Sequence, residues 1–296
     1  MVYFQPKGMG VALVTPFQAD KSVDYEALKR LVEYVIDEGA DFIVVQGTTG
    51  ETATMTHDEI ERVSDAVRHY AAGRVPLVIG IGGNCTANVC HEIKSRDLDG
   101  YAAVLSVVPF YNKPQQEGIY RHYTEIANAS PLPVILYNVP GRTGVNMTAE
   151  TTLRLAEVDN IIAVKEASGN FTQIEQIIKH APQGFNVISG DDGITFPLIT
   201  LGAVGVISVI GNAFPREFSR MVRLALQGDY ANALTIHHKF AELFKLLFVD
   251  GNPAGVKAML NAMGMVENKL RLPLVPTRIT TFEAMRKILS ELNIKC

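Results

Sequence analysis

The sequence predicts an α/β fold, a (β/α)8 TIM barrel followed by a C-terminal helical appendage. Three observations carry that expectation. Eight short apolar runs recur along the chain, mostly at the roughly 20–35-residue steps that one strand plus one helix requires. Amphipathic segments with helical spacing lie between them. The first run leads into Thr15-Pro16-Phe17 and not into the Gly-rich dinucleotide turn that an open doubly wound sheet, the competing fold, would want.

Taken in order, the runs are residues 10–14, 42–46, 77–81, 102–107, 134–137, 161–165, 185–189 and 204–209. Their length and β-branched content read as buried strands. After the first, Leu28, Leu31, Val32, Val35 and Ile36 fall on one helical face, and Gly39 follows as a C′ residue. Thr56 with Glu59 reads as a capping box, and Asn170 with Gln173 plays a similar part. After Gly228 the strands stop, and residues 229–250, 253–263 and 277–292 read as helices. The expected division is a catalytic barrel over residues 1–227 and a helical domain over 228–296. In that domain Leu243, Phe244, Leu246, Leu247 and Phe248 are more apolar than one helical face needs, which fits burial against the barrel or a subunit contact.

The composition excludes several classes. The chain has 296 residues, a formal net charge of −4 and no basic run, so no nucleic-acid partner is expected. Its three cysteines, Cys85, Cys90 and Cys296, lack metal-type spacing and read as free thiols in a reducing compartment. Residues 1–10 lack the apolar core of a signal peptide, and no uncharged apolar stretch reaches membrane-spanning length. The expectation is a cytoplasmic protein without a membrane partner.

Reactive groups in such a barrel sit at the carboxyl ends of the strands and on the loops just beyond. Those ends carry Gly47-Thr48-Thr49-Gly50-Glu51, Pro109-Phe110-Tyr111-Asn112, Tyr137-Asn138-Val139-Pro140-Gly141-Arg142-Thr143-Gly144, Lys165, Ser189-Gly190-Asp191-Asp192 and Ile207-Ser208. A lysine at the end of a buried strand either reaches water or sits in a pocket. In a pocket, desolvation lowers its pKa and frees an amine that attacks a ketone. Thr48 and Thr49 suit a small carboxylate, Tyr137 and Tyr111 suit proton transfer, and Arg142 suits a second carboxylate. Neither a metal triad nor a strand-end histidine accompanies them, so the set favours amine catalysis on an α-keto acid. Each residue alone has an ordinary alternative: a solvated lysine, a strand-finishing tyrosine, a loop arginine, or Asp191-Asp192 as a helix cap. Glu51 reads as a structural hydrogen-bonding group.

These segments match a known family. The chain resembles the dihydrodipicolinate synthases, within the pyruvate-dependent class I aldolases and lyases that include N-acetylneuraminate lyase. The resemblance covers nearly the whole chain and rests on 47–51, 137–144 and the Val164-Lys165-Glu166-Ala167-Ser168-Gly169 segment, in family order. It implies a lyase in which Lys165 forms a Schiff base with pyruvate. It implies a proton relay of Thr48, Tyr137 and Tyr111, with Tyr111 crossing a tight dimer interface into the neighbour's site. Thr48 and Thr49 would also contact the pyruvate carboxylate, and Arg142 the carboxylate of L-aspartate-4-semialdehyde. Backbone groups at Gly190 and Ile207 would line the pocket. The implied product is 4-hydroxy-tetrahydrodipicolinate, in the diaminopimelate route to lysine. The lysine serves as electron sink and leaving group, so no external cofactor is required. The family also suggests a homotetramer built as a dimer of dimers.

The resemblance further implies an effector cleft at Thr52, Ala53, His57, Ile60, Asn84, Asn88 and Phe110. Lysine-sensitive bacterial relatives often carry histidine, an acidic residue and tyrosine at the positions of Ile60, Asn88 and Phe110. Asn88 can hydrogen-bond an ammonium but cannot pair its charge, so weak or absent inhibition by lysine is expected. Two rival readings stay open. One is another Schiff-base pyruvate lyase or aldolase acting on a sugar acid or hydroxy-keto acid. The other is a non-catalytic barrel that senses a keto acid and would need no proton relay.

Overall fold

The computed structural model describes residues 4–292. Eight parallel strands follow one another around a closed barrel: β1 (Gly8–Ala12), β2 (Phe42–Val45), β3 (Leu77–Gly80), β4 (Ala103–Val107), β5 (Val134–Asn138), β6 (Ile161–Glu166), β7 (Asn186–Ser189) and β8 (Gly205–Ser208). β8 pairs back onto β1, so the expected TIM barrel is the fold. The helices around it are α1 (Tyr25–Asp37), α2 (His57–Ala71), α3 (Thr86–Ser95), α4 (Gln116–Ala129), the short α5 (Pro140–Thr143), α6 (Ala149–Ala156), α7 (Phe171–His180), α8 (Thr195–Thr200) and α9 (Pro215–Leu226).

The signals read from the sequence act as expected in most places. α1 buries Ala27, Leu28, Leu31, Val32 and Val35, and Gly39 takes the left-handed C′ position with φ 101. Thr56 and Glu59 form both bonds of a capping box at the start of α2. Asn170 caps α7 through the Gln173 N–H, but the Gln173 side chain turns inward and does not complete the box. β1 starts and ends two residues earlier than its apolar run. Leu13 still donates its N–H to Val44 O at 3.0 Å, whereas Val14 donates to the Asn212 side chain at 3.1 Å. Leu13 and Val14 are buried as part of the strand-end loop.

The core has two compartments, as the alternation of side chains along each strand requires. Inside the barrel lie Ala12, Phe42, Val44, Val78, Leu105, Ile135, Ala163 and Ile188. Outside it, the opposite strand face packs against the helical ring. Burying one such aliphatic or aromatic side chain contributes about 1.5–3 kcal/mol.

Beyond the barrel run α10 (Tyr230–Val249), α11 (Ala254–Ala262) and α12 (Ile279–Glu291). α10 packs on α9 and its N-cap through Phe244 against Phe218 and Phe240 against Phe214, with ring centroids 5.9 and 5.1 Å apart. Its Leu243, Phe244 and Leu247 are buried, Leu246 is half-buried and Phe248 is exposed. α11 meets α10 so closely that a Cβ on Gly255 would lie 2.2 Å from Leu247 O. Among the described residues no helix is long and apolar enough to cross a membrane. Cys85 and Cys90 are free thiols, and Cys296 lies outside the described residues.

Candidate active site at the carboxyl ends of the strands

The register of β5 against β6 places the reactive pair. Tyr137 and Lys165 are Cα partners, as are Asn138 and Glu166 one residue further on. Alternation then sends the first pair into the barrel and the second outward. The outward pair is a hydrogen-bonded knot: Glu166 accepts from Asn138 Nδ2 at 3.2 Å and from Ser168 N at 2.8 Å. The inward pair is different. Lys165 Nζ stands 4.3 Å from the centroid of the Tyr137 ring, and among the described residues it has no hydrogen-bond or ion-pair partner.

That setting explains the protonation of both groups. Lys165 is only 6% exposed, and burial draws its pKa down to about 7. The Asp192 carboxylate opposes this pull and the Arg142 guanidinium adds to it. Burial pushes Tyr137 up to about 12, so it keeps its proton at neutral pH. Gly190 leaves room for the lysine stem, because a Cβ there would lie 3.0 Å from Lys165 Cε and 2.8 Å from Ala167 Cβ.

These side chains face a cavity of about 740 Å³, whose walls include Thr48, Thr49, Tyr137, Arg142, Lys165 and Gly190. The two threonines sit on a tight 3-10 turn, Thr48–Gly50. Thr49 Oγ1 accepts from Asn252 Nδ2 at 3.0 Å, and the Arg142 guanidinium donates to Asn252 O at 3.3 Å. Among the described residues no direct hydrogen bond joins Thr48 to Tyr137.

The other residues singled out in the sequence divide between this cavity and the surface or core around it. Ile207 is sealed inside the barrel. Tyr111 is 88% exposed, sits in left-handed backbone with φ 72, and does not reach the cavity of its own chain. Of the effector set, Thr52, Ala53, Ile60 and Phe110 line the cavity. His57 is exposed at the first turn of α2 and Asn88 is exposed on α3. Asn84 is tied to the Tyr111 loop, its Nδ2 donating to Phe110 O at 3.1 Å and its backbone O accepting from Asn112 Nδ2 at 2.9 Å.

One residue was missed from the sequence, and a second, Asp192, was read there only as part of a helix cap. Asn252, in the appendage, bridges Thr49 and Arg142, 203 and 110 positions away, and no local signal announces it. Asp192 has a role distinct from capping. Asp191 is the cap, accepting from Gly193 N at 2.8 Å. Asp192 is buried, and its Oδ2 accepts the backbone N–H groups of Val209 and Ile210 at 3.0 and 2.7 Å, while burial raises its pKa to about 6. Among the described residues no cluster of histidine, cysteine or carboxylate side chains is arranged to hold a metal ion.

Fold and cavity together define a TIM-barrel enzyme with a buried lysine at the end of its sixth strand, unpaired among the described residues and with its pKa drawn down by burial. The model of the dihydrodipicolinate synthetase family matches residues 5–292, and the chain belongs to that family. It is an enzyme of the lyase class. It is 69% identical to the 4-hydroxy-tetrahydrodipicolinate synthase of Phocaeicola vulgatus, over 100% of both chains. The crystal structure of dihydrodipicolinate synthase from Aquifex aeolicus is 42% identical, superposes with a TM-score of 0.93 and covers 97% of this chain and 98% of that one. The crystal structure of the enzyme from Cyanidioschyzon merolae with lysine bound is 39% identical, with a TM-score of 0.93 over 97% of this chain and 98% of that one.

Proposed function

We propose that the chain is a 4-hydroxy-tetrahydrodipicolinate synthase that condenses pyruvate with L-aspartate-4-semialdehyde through a Schiff base on Lys165. The observation that carries this reading is the state of Lys165: buried, without an acceptor among the described residues, its pKa lowered to about 7, and facing a cavity with threonine hydroxyls and a guanidinium on its walls. The lowered pKa leaves a substantial share of the amine free at neutral pH to attack the ketone.

The free amine adds to the pyruvate carbonyl, and loss of water leaves an iminium. Loss of a methyl proton gives an enamine, whose carbon attacks the semialdehyde carbonyl. The semialdehyde's own amine then displaces Lys165, closing the six-membered ring and restoring the lysine. One water leaves overall, and no redox change occurs, so the reading needs no cofactor. Thr48 and Thr49 take the pyruvate carboxylate, Gly190 lines the pyruvate pocket with Ile207 behind it, and Arg142 takes the carboxylate of the semialdehyde.

Proton transfer falls to Thr48, Tyr137 and Tyr111. Tyr137 is protonated at neutral pH and stacked beside the lysine, which fits a proton donor. Tyr111 is a large aromatic held outward in strained backbone, which fits delivery into a neighbour's site within a dimer, and a homotetramer as a pair of such dimers. In this reading residues 1–227 form the catalytic barrel, 228–296 the helical domain, and the enzyme works in the cytoplasm in lysine biosynthesis.

The test is intact-mass spectrometry after incubation with pyruvate and borohydride, with Lys165→Ala as control, followed by a coupled assay with the semialdehyde. A reduced pyruvyl adduct that needs Lys165, together with turnover, is expected. An adduct without turnover moves the search to other aldehydes. No adduct makes Lys165 a structural lysine.

A further inference from the structure

The threonine turn is anchored at both ends by buried side chains, and one anchor comes from the far end of the chain. Gln46 and Glu51 flank the turn, both in left-handed backbone with φ 59 and 56. L residues seldom hold that conformation, and it persists only where the surroundings over-determine it. At Gln46 the carboxamide donates to Ile60 O and accepts from Thr52 Oγ1, each at 3.0 Å. At Glu51 the side chain is sealed from solvent. Its Oε1 accepts from Lys257 Nζ at 2.5 Å and its Oε2 from the backbone N–H of Arg271 at 3.1 Å.

The partners of Glu51 are themselves fixed. Lys257, on α11, is 0% exposed and also donates to Lys269 O at 3.0 Å. Lys257 Nζ and Arg271 Cζ both stand beside the Phe17 ring, 4.1 and 4.4 Å from its centroid. Arg271 holds Glu59 of α2 through two bonds of 2.6 Å. Glu51 in turn donates its backbone N–H to Thr48 O at 3.1 Å, so a rotation at Glu51 moves Thr48 directly.

We propose that Glu51 is a positioning residue for the pyruvate subsite: clamped onto Lys257 and the Arg271 backbone, it holds the strained turn so that Thr48 and Thr49 stay at the cavity wall, and it makes the C-terminal helices part of that subsite. The proposal rests on the synthase reading, which assigns pyruvate to the threonines. A merely structural ion pair would support stability and leave pyruvate affinity alone.

The test compares wild type with Glu51→Gln and with the neutral pair Glu51→Gln/Lys257→Gln, which leaves no charge buried without its partner and so protects the fold where the single variant loses it. Pyruvate is titrated by calorimetry, and kcat and both KM values are measured per borohydride-trappable site. In the variant that melts cooperatively, the Kd and KM for pyruvate are expected to rise at least about tenfold, with the KM for the semialdehyde moving less than about twofold. Wild-type Kd, KM and kcat in a folded variant, with only a lower Tm, would overturn the proposal. If wild type binds pyruvate but traps none, the Schiff-base reading fails, and the calorimetric Kd of the variants alone decides the role of Glu51. If wild type does not bind pyruvate, both fall.

Discussion

Among the described residues two lysines are buried, and the molecule holds them in opposite ways. Lys257 lies under the threonine turn, bonded to the Glu51 carboxylate and to a backbone carbonyl. Lys165 stands over an aromatic ring and has no acceptor among the described residues. Burial draws both below the ordinary lysine range, to about 8 and about 7. At Lys257 the adjacent carboxylate opposes that pull, so the ammonium persists at neutral pH as half of a clasp. At Lys165 no described group within hydrogen-bonding reach does so, and the amine becomes available. Burial alone therefore does not nominate a nucleophile; burial without an acceptor does.

Removing each lysine should separate the two roles. Lys165→Met is expected to abolish pyruvate trapping and lower turnover by at least about 10⁴-fold. It should also leave the protein as stable as wild type or more so. The folded pKa of Lys165 lies below its unfolded value, so the folded state binds less proton than the unfolded one. The resulting penalty is complete below about pH 7 and fades as pH rises toward the ordinary lysine range. A melting temperature below that of wild type at pH 6 would contradict this. Lys257→Met should do the reverse, leaving the folded fraction able to trap pyruvate once the higher concentration that a loosened threonine turn demands is supplied, but lowering unfolding free energy by roughly 3–5 kcal/mol, because Glu51 stays buried without its partner. An unchanged midpoint in a urea melt would remove the clasp.

A gentler probe changes protonation and leaves every side chain in place. The amine of Lys165 is the reactive form, so kcat/KM for pyruvate should climb with pH and level off above about 7. Well below that point each pH unit is expected to change the rate about tenfold. A profile flat from pH 5.5 to 8, measured by coupled assay in one buffer series, would mean that Lys165 is not the titrating group.

The two lysines were not equally legible in the sequence. The barrel was readable because its repeating unit is local: an apolar run, a turn and an amphipathic helix, eight times. Lys165 was readable because the same pattern puts it at a strand end, where barrels carry their chemistry. The Thr48–Thr49 turn and Arg142 could be found the same way, and all three line one cavity. Lys257 left no signal. It lies mid-helix among apolar residues, and its partner Glu51 is 206 positions away. Asn252 is likewise joined to Thr49 over 203 positions. Periodicity reports which face of an element is buried, but not which distant element covers it. Tyr111 is a third case: its motif marked it, yet within one chain it points away from the cavity.

The smallest expected effect concerns a third amine, that of free lysine as an inhibitor. The rule that separates Lys165 from Lys257 applies to it: an ammonium held out of water needs a carboxylate. Among the proposed effector residues Asn88 offers only an amide, and Ile60 and Phe110 bring apolar surface to the cavity wall. One helical turn beyond Asn88, Glu92 already lies 3.1 Å from the Arg96 guanidinium. Lacking a charge-assisted contact in a partly buried site weakens binding by about 1.5–3 kcal/mol, at least tenfold in affinity. Half-maximal inhibition by lysine is therefore expected above about 1 mM. Asn88→Glu should lower that concentration at least about tenfold if the cleft otherwise accepts the ligand. Wild-type inhibition well below 1 mM would place a carboxylate from elsewhere, Glu92 or a neighbouring subunit, on the ammonium, and the pairing rule would then hold through a different residue.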